Sequence, residues 1–394
     1  MRRLGGVAAI LCVVLAAAPI ASAYTYKVYQ GYYASQQPDD YTCVAASALT
    51  WVDYITGSTN VSTTRVRAYY SYGRQHTRYS YSANGLDPRA WAWILYHYTP
   101  AGYGFNDYRH TTQTSANRQL VFGLRATHKP VGALMEKGWH AFDVVGFYSS
   151  ADPYDAETWT LYGFYVVDPW FDGGDWSKFG AQYNLSPNSY ITVSHWNQYY
   201  FLKYVEPTRS TIWDDKYVTV LRASTDAAPS DNPPVPYGAG AAQSTMVEAE
   251  TEVLPSLHEA IADVVGGLEW EETGTSLAAA TVGDHVFVTS DVPGFPDYEL
   301  VELRTTGSDA IGVAVVARGP GGFRVLSIQQ TLPGYRLPDA TAAKTVASRL
   351  GLGSTSLRLE WRRTSGSQSP VLPLWVAGEG STAVRFDQRG ERVP

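Results

Sequence analysis

The stretch Gln37-Pro38-Asp39-Asp40-Tyr41-Thr42-Cys43-Val44-Ala45-Ala46-Ser47-Ala48-Leu49 changes character at Cys43. Proline and two aspartates mark a turn on its left, whereas the alanine-rich run on its right favours a helix. The pattern predicts a helix from about Tyr41 to Ile55, closed by Gly57, with Cys43 near its start. Unpaired N–H groups at a helix start favour an anion, so the thiolate form of Cys43 is stabilised there. On a helical wheel Val44, Ala48, Trp51, Val52 and Ile55 share an apolar face, while Cys43 falls beside Ser47, Thr50 and Tyr54. That phase argues for a thiol that is used, against one that only fills a core. Gln37, or failing it Gln36, lies just upstream, where a side-chain amide can join the backbone N–H of Cys43 in holding a developing oxyanion.

Helices continue beyond this segment. Asp87-Pro88-Arg89-Ala90-Trp91 begins one with an aspartate cap and a proline at the first helical position, and another is expected over Ser115 to Ala126. From Pro130 the pattern turns to strands: Val131 to Met135, a Lys137-Gly138 turn, Trp139 to Phe147, Thr158 to Val167, Ser189 to His195 and Tyr199 to Val205. Helices followed by antiparallel strands is an α+β order.

A thiol nucleophile needs a base. Of the histidines, His97 and His258 sit in helical runs, and His76 and His110 in polar loops. His140 follows a turn and opens the apolar strand Ala141 to Phe147, where a packed sheet would fix its ring. The base needs an acceptor to hold its tautomer. Asp143 is nearest in sequence, but a separation of three puts it on the opposite face of the strand. Asp168 ends the next strand on the face of Tyr162, Phe164 and Val166, in position to meet His140 across the pair. Trp139 and Trp170 neighbour these two residues, and either of them could shield the bond between them from water.

Taken in order, a glutamine before a cysteine that opens a helix, then Gly138-Trp139-His140-Ala141-Phe142, then Val166-Val167-Asp168-Pro169-Trp170, resembles the papain-like cysteine peptidases. The branch it looks most like includes the bacterial double-glycine leader peptidases, among their free secreted relatives. The resemblance covers about Tyr24 to Val220. It implies a helix carrying Cys43 packed on an antiparallel sheet carrying His140 and Asp168, with Gln37 in the oxyanion hole. A hairpin through Ala151 to Thr158 would fill the long interval between His140 and Asp168. No transporter segment is fused here, so double-glycine leaders are not carried over as substrate.

The ends and the composition frame this reading. Met1-Arg2-Arg3, an apolar run from Leu4 to Ile20 and Ala21-Ser22-Ala23 resemble a secretory signal over residues 1–23, so a secreted bacterial protein without a membrane anchor after cleavage is expected. Cys12 would leave with the signal, and Cys43 would remain as the single thiol, unable to form an internal disulfide. The net charge of −7 with scattered basic residues argues against a nucleic-acid partner. Most of the 29 tyrosines and 12 tryptophans fall between Tyr24 and Arg222, after which residues 223–245 become rich in Pro, Gly, Ser and Ala, as in a linker. A papain-like domain over 24–222 and a small α+β accessory domain over 246–394 are expected. The latter shows helical patterns near Pro255 to Leu268 and Asp339 to Gly351 and strand-like runs between and after them, but no catalytic constellation.

These features predict a secreted cysteine peptidase or amide hydrolase acting through an acyl-enzyme on a peptide or protein, with acyl transfer to an amine as a variant. The alternative is a catalytically idle papain-like scaffold that binds glycans or cell wall through its aromatic residues. No cofactor and no metal are expected; Asp172-Gly173-Gly174-Asp175 lacks calcium-loop spacing and reads as a turn.

Overall fold

The computed structural model describes residues 23–28, 34–79, 85–170, 185–236, 238, 244–270, 275–305, 309–352, 356–362, 369–388 and 390–393. Residues 1–22 of the expected signal, and Asp172 to Asp175, lie outside the described residues.

In chain order the elements are β1 (Tyr24–Lys27), α1 (Cys43–Thr56), α2 (Thr63–Arg74), α3 (Pro88–Tyr98), β2 (Phe105–His110), α4 (Gln113–Thr127), β3 (Val131–Met135), β4 (His140–Ser149), β5 (Thr158–Val167) and β6 (Leu185–Thr192). A short turn α5 (Val193–His195), β7 (Tyr217–Arg222), β8 (Thr245–Glu248), α6 (Leu257–Val265), β9 (Glu269–Trp270) and β10 (Thr275–Ser276) follow. The chain ends with β11 (Thr281–Ser290), β12 (Tyr298–Arg304), β13 (Ala310–Gly319), β14 (Gly322–Thr331), α7 (Ala340–Arg349), β15 (Leu357–Trp361), β16 (Leu374–Ala377), β17 (Val384–Phe386) and β18 (Arg392–Val393). Among the described residues seven helices and one large, mostly antiparallel sheet agree with the α+β class expected. Among the described residues no helix is long and apolar enough to cross a membrane.

Local chemistry sets the helix ends. Ser62 caps α2 through the Arg65 N–H, Asp87 caps α3 through Ala90 with Pro88 at the first position, and Thr112 caps α4 through Ser115. Helix α1 starts differently, because Thr42 makes no side-chain cap. It ends as expected on Gly57, whose φ of +70° suits the left-handed stop.

Sheet order in the first half is β6-β5-β4-β3-β7-β2, with α1 and α3 packed on one face. Trp51 and Trp91 meet edge to face at 6.4 Å in the core beneath those helices. Gly132 on β3 makes room for Trp91, since a Cβ there would stand 2.7 Å from the indole.

The sheet does not stop at the compositional boundary. Strand β14 pairs with β6 in the register Ser327↔Ile191, which joins the β11–β14 meander of the second half to the first. Residues expected to act as linker fold back on the first half: Ala223 N–H donates to Gly104 O at 2.8 Å, Ser230 N–H donates to Asn106 at 2.9 Å, and Asp231 pairs with Arg89 at 3.0 Å. A proline-rich composition does remove strand and helix periodicity, but backbone and charged partners elsewhere can still fix such a segment.

One expected strand is absent. Tyr199 to Val205 holds the end of a π-type turn, Trp196–Tyr200, and then irregular chain. Its aromatic residues are buried in different directions, Trp196 on Phe164 and Tyr200 on Phe142, so bulk and not alternation governs their spacing. The expected strand Ser189 to His195 is shifted, running from Leu185 to Thr192 before turning helical.

Candidate functional site

Cys43 is the first residue of α1 and is buried, at 8 % exposure. The first intrahelical bond runs from Ala46 N–H to Thr42 O, so the N–H groups of Cys43, Val44 and Ala45 precede it, and the missing side-chain cap leaves that end of the helix open. The phase argument made from the sequence discriminates little, because every residue from Cys43 to Asp53 is buried. What separates the thiol from an inert core cysteine is its neighbour: it lies near enough to the His140 ring to help raise that ring's pKa.

His140 opens β4 and is 5 % exposed. Its Nε2 stands 2.8 Å from Oδ1 of Asp168, which leaves Nδ1 as the nitrogen for the thiol. Asp168 follows the last residue of β5, and the pairing Asp143↔Val167 sets it opposite Phe142, on the face that carries His140 two residues away. The same Oδ1 accepts the Trp170 N–H at 2.8 Å, which fixes the carboxylate from the other side. Of the two tryptophans either of which could shield this bond, Trp170 is buried, as a shield requires, whereas Trp139 is 70 % exposed. The His140 and Phe142 rings stand nearly perpendicular, with centroids 5.0 Å apart.

Burial alone would pull the His140 pKa down, but the Asp168 carboxylate, with Cys43 adding to it, outweighs that and holds it well above the ordinary histidine value. An imidazolium beside the sulfur is the ion-pair partner that a thiolate needs.

Gln37 approaches from the loop before α1. Its N–H donates to Pro169 O at 2.8 Å, tying this loop to the Asp168 turn. Its Nε2 gives one proton to Asp39 O at 2.8 Å, and the second has no acceptor among the described residues. Gln36 is also buried. Two further bonds join α1 to its surroundings, Ser47 Oγ to Ala141 O at 3.4 Å and Ser35 N–H to Thr50 Oγ1 at 2.8 Å.

Asp143 lies across from Gly132, with both carboxylate oxygens buried and without hydrogen-bond partners among the described residues. Burial pushes its pKa well above the carboxylate range. His110 is bonded to Thr219 Oγ1 at 3.0 Å, and burial lowers its pKa to about 4. Neither touches the Cys43 to Asp168 relay. Among the described residues no group of three or more His, Cys, Asp or Glu could hold a metal ion.

Sequence reasoning missed the part played by the second half. Behind Asp168 a small cavity of about 20 Å³ is bounded by Val166, Ser189 and Tyr200 together with Ser327, Gln329 and Val371. No local pattern in the sequence signals this, because it depends on the pairing of β14 with β6.

No family model matches the chain, and neither does any curated protein.

Proposed function

We propose that the chain is a cysteine hydrolase of papain-like arrangement that cleaves peptide or related amide bonds through an acyl-enzyme, and that it is exported by its N-terminal segment. The observation that supports this most is His140 bonded through Nε2 to Asp168, with Cys43 near enough to the ring to help raise its pKa. The thiolate attacks the carbonyl carbon, forming a C–S bond while the π electrons move to oxygen. The Cys43 N–H and the second Nε2 proton of Gln37 receive that oxyanion. The carbonyl reforms, the C–N bond breaks, and the His140 imidazolium gives its proton to the departing amine. Water then attacks the thioester with neutral His140 as base, and the thiolate is released with His140 reprotonated. An amine in place of water makes the second half an acyl transfer.

The experiment is Cys43 alkylation by iodoacetamide as a function of pH, in the chain from Tyr24 onward and in its His140→Ala variant. Fast alkylation already below pH 7 that is lost in the variant supports the reading. Alkylation rising only above about pH 8 in both, as for an ordinary thiol, overturns it.

A second reading, an extracellular glycan-binding module, is favoured by a separate depression of about 460 Å³ lined by Tyr72, Trp93, Tyr96, His97, Tyr103 and Asp226. Aromatic faces beside a carboxylate suit a pyranose ring, which stacks its C–H face and offers hydroxyls. Oligosaccharide binding lost in Trp93→Ala and kept in Cys43→Ala would support it.

A further inference from the structure

We propose that Ser189 and Gln329 are positioning residues for Asp168, acting through one ordered water seated between Asp168 and Ser189, so that the second half of the chain holds the acceptor of the His140 ring. Its meaning for catalysis rests on the hydrolase reading above. Asp168 spends one oxygen on two partners, since Oδ1 meets both His140 Nε2 and the Trp170 N–H, while Oδ2 accepts no bond among the described residues.

The small cavity behind Asp168 supplies what that oxygen lacks. It measures about 20 Å³, and Asp168, Ser189, Ser327 and Gln329 form its polar side. A water needs room of about 10–15 Å³ and two to four polar partners, so one water fits here and a second does not.

Strand register brings the two ends of the bridge within reach. Val166 on β5 is paired with Ser189 on β6, and the ladder continues past β5 because the Asp168 N–H donates to Pro187 O at 3.4 Å. Asp168 is therefore the diagonal neighbour of Ser189 on the same face, a relation that sets residues about 7–8 Å apart. One water making two hydrogen bonds of about 2.8 Å spans the gap that the side chains leave.

The second half fixes the direction of these bonds. Gln329 on β14 pairs with Ser189 and turns Nε2 toward two carbonyl oxygens, Asn188 O at 3.2 Å and Ser186 O. Carbonyls only accept, so both amide protons are spent there and Oε1 is left to accept the Ser189 hydroxyl proton. Ser189 Oγ then has only lone pairs to offer. A water beside it must donate, one proton to Ser189 Oγ and the other to Asp168 Oδ2. That polarity suits a carboxylate that has to stay anionic and aligned with the imidazole. Ser189 and Gln329 are both buried, so bulk solvent does not compete for their bond.

The test uses the chain from Tyr24 onward and reads a high-resolution crystal structure, solvent exchange of the His140 Nε2 proton by nitrogen-15 NMR, and the urea midpoint. Density for one water within hydrogen-bond distance of Asp168 Oδ2 and Ser189 Oγ is expected. Ser189→Ala removes one acceptor of that water and should speed Nε2 proton exchange about three- to tenfold, the worth of one hydrogen bond; Ser189→Thr should restore it. In an Asp168→Ala background Ser189→Ala should add nothing, because it acts through that carboxylate. Val371→Leu fills the cavity from the second half and should also speed exchange, with a urea midpoint at least as high as that of the wild type. If the cavity were only a packing defect, that variant would leave exchange unchanged. A dry cavity, exchange unaffected by Ser189→Ala and Val371→Leu in folded protein, or an equal effect of Ser189→Ala in both backgrounds overturns the proposal. Iodoacetamide alkylation of Cys43 in the same samples judges the hydrolase reading separately. A thiol alkylated only above about pH 8 beside an intact bridge overturns that reading and leaves the bridge standing.

Discussion

Asp168 Oδ1 accepts two hydrogen bonds of 2.8 Å, one from Nε2 of His140 and one from the backbone N–H of Trp170. The first orients the ring and the second keeps the carboxylate from following it. Asp168→Asn retains an oxygen acceptor but removes the charge that raises the His140 pKa. With that charge gone the imidazolium that favours the thiolate deprotonates at lower pH, so the rise of Cys43 alkylation with pH should move to higher pH while orientation survives. Asp168→Ala loses both effects and should lower kcat by about 10²–10⁴-fold. Equal profiles for wild type and Asp168→Asn would show that the carboxylate charge is irrelevant to the ring.

Gln37 has a single role in this scheme, at the developing oxyanion. Gln37→Ala should therefore lower kcat about 10²–10³-fold with KM nearly unchanged, and should leave Cys43 alkylation by iodoacetamide at the wild-type rate, since alkyl halide displacement forms no oxyanion. Its backbone bond to Pro169 does not depend on the side chain, so the loop should hold. A matched loss of alkylation would mean that the side chain supports the thiol instead.

The parts of the site that follow from local rules were legible in the sequence. Turn and propensity signals gave the start of α1 at Cys43, and period-two alternation separated Asp168 from Asp143 before any contact was known. The β4 and β5 strands were expected nearly to their ends. Helix α2 escaped notice because only Val66, Tyr69 and Gly73 of its residues are buried, too few to make a periodic stripe. The bonds Gln37 to Pro169 and β14 to β6 join segments far apart in sequence, and no window of the chain records them.

The buried carboxyl of Asp143 is a cost to the fold. Its pKa is raised in the native chain by burial, so the folded state binds a proton more tightly than the unfolded state does. Stability is then lost as pH rises from the usual carboxylate range up to the raised value, and stays lost above it. Asp143→Leu should raise stability by about 1–3 kcal/mol at pH 7, where the unfolded chain has an ionised carboxylate, and the gain should shrink toward pH 4. Urea unfolding of both proteins at pH 4 and pH 7 checks this; an equal gain at the two values would mean that burial of the charge contributes nothing.

Gly132 lies across from Asp143 on the same sheet face, and its absent side chain is what admits Trp91. An added methyl would stand 2.7 Å from the ring, and the ring cannot retreat because it is fully buried and set edge-on to Trp51. Gly132→Ala should therefore destabilise the chain by about 1–3 kcal/mol through overpacking, despite the usual gain from replacing a strand glycine. Because α1 packs against α3 and β4, the displaced indole should also loosen the helix that carries Cys43. The expected result is a lower urea midpoint, together with slower Cys43 alkylation at neutral pH under conditions where the protein remains folded. A lower midpoint with alkylation unchanged would confine the effect to the core and separate the packing under Trp91 from the geometry of Cys43 and His140.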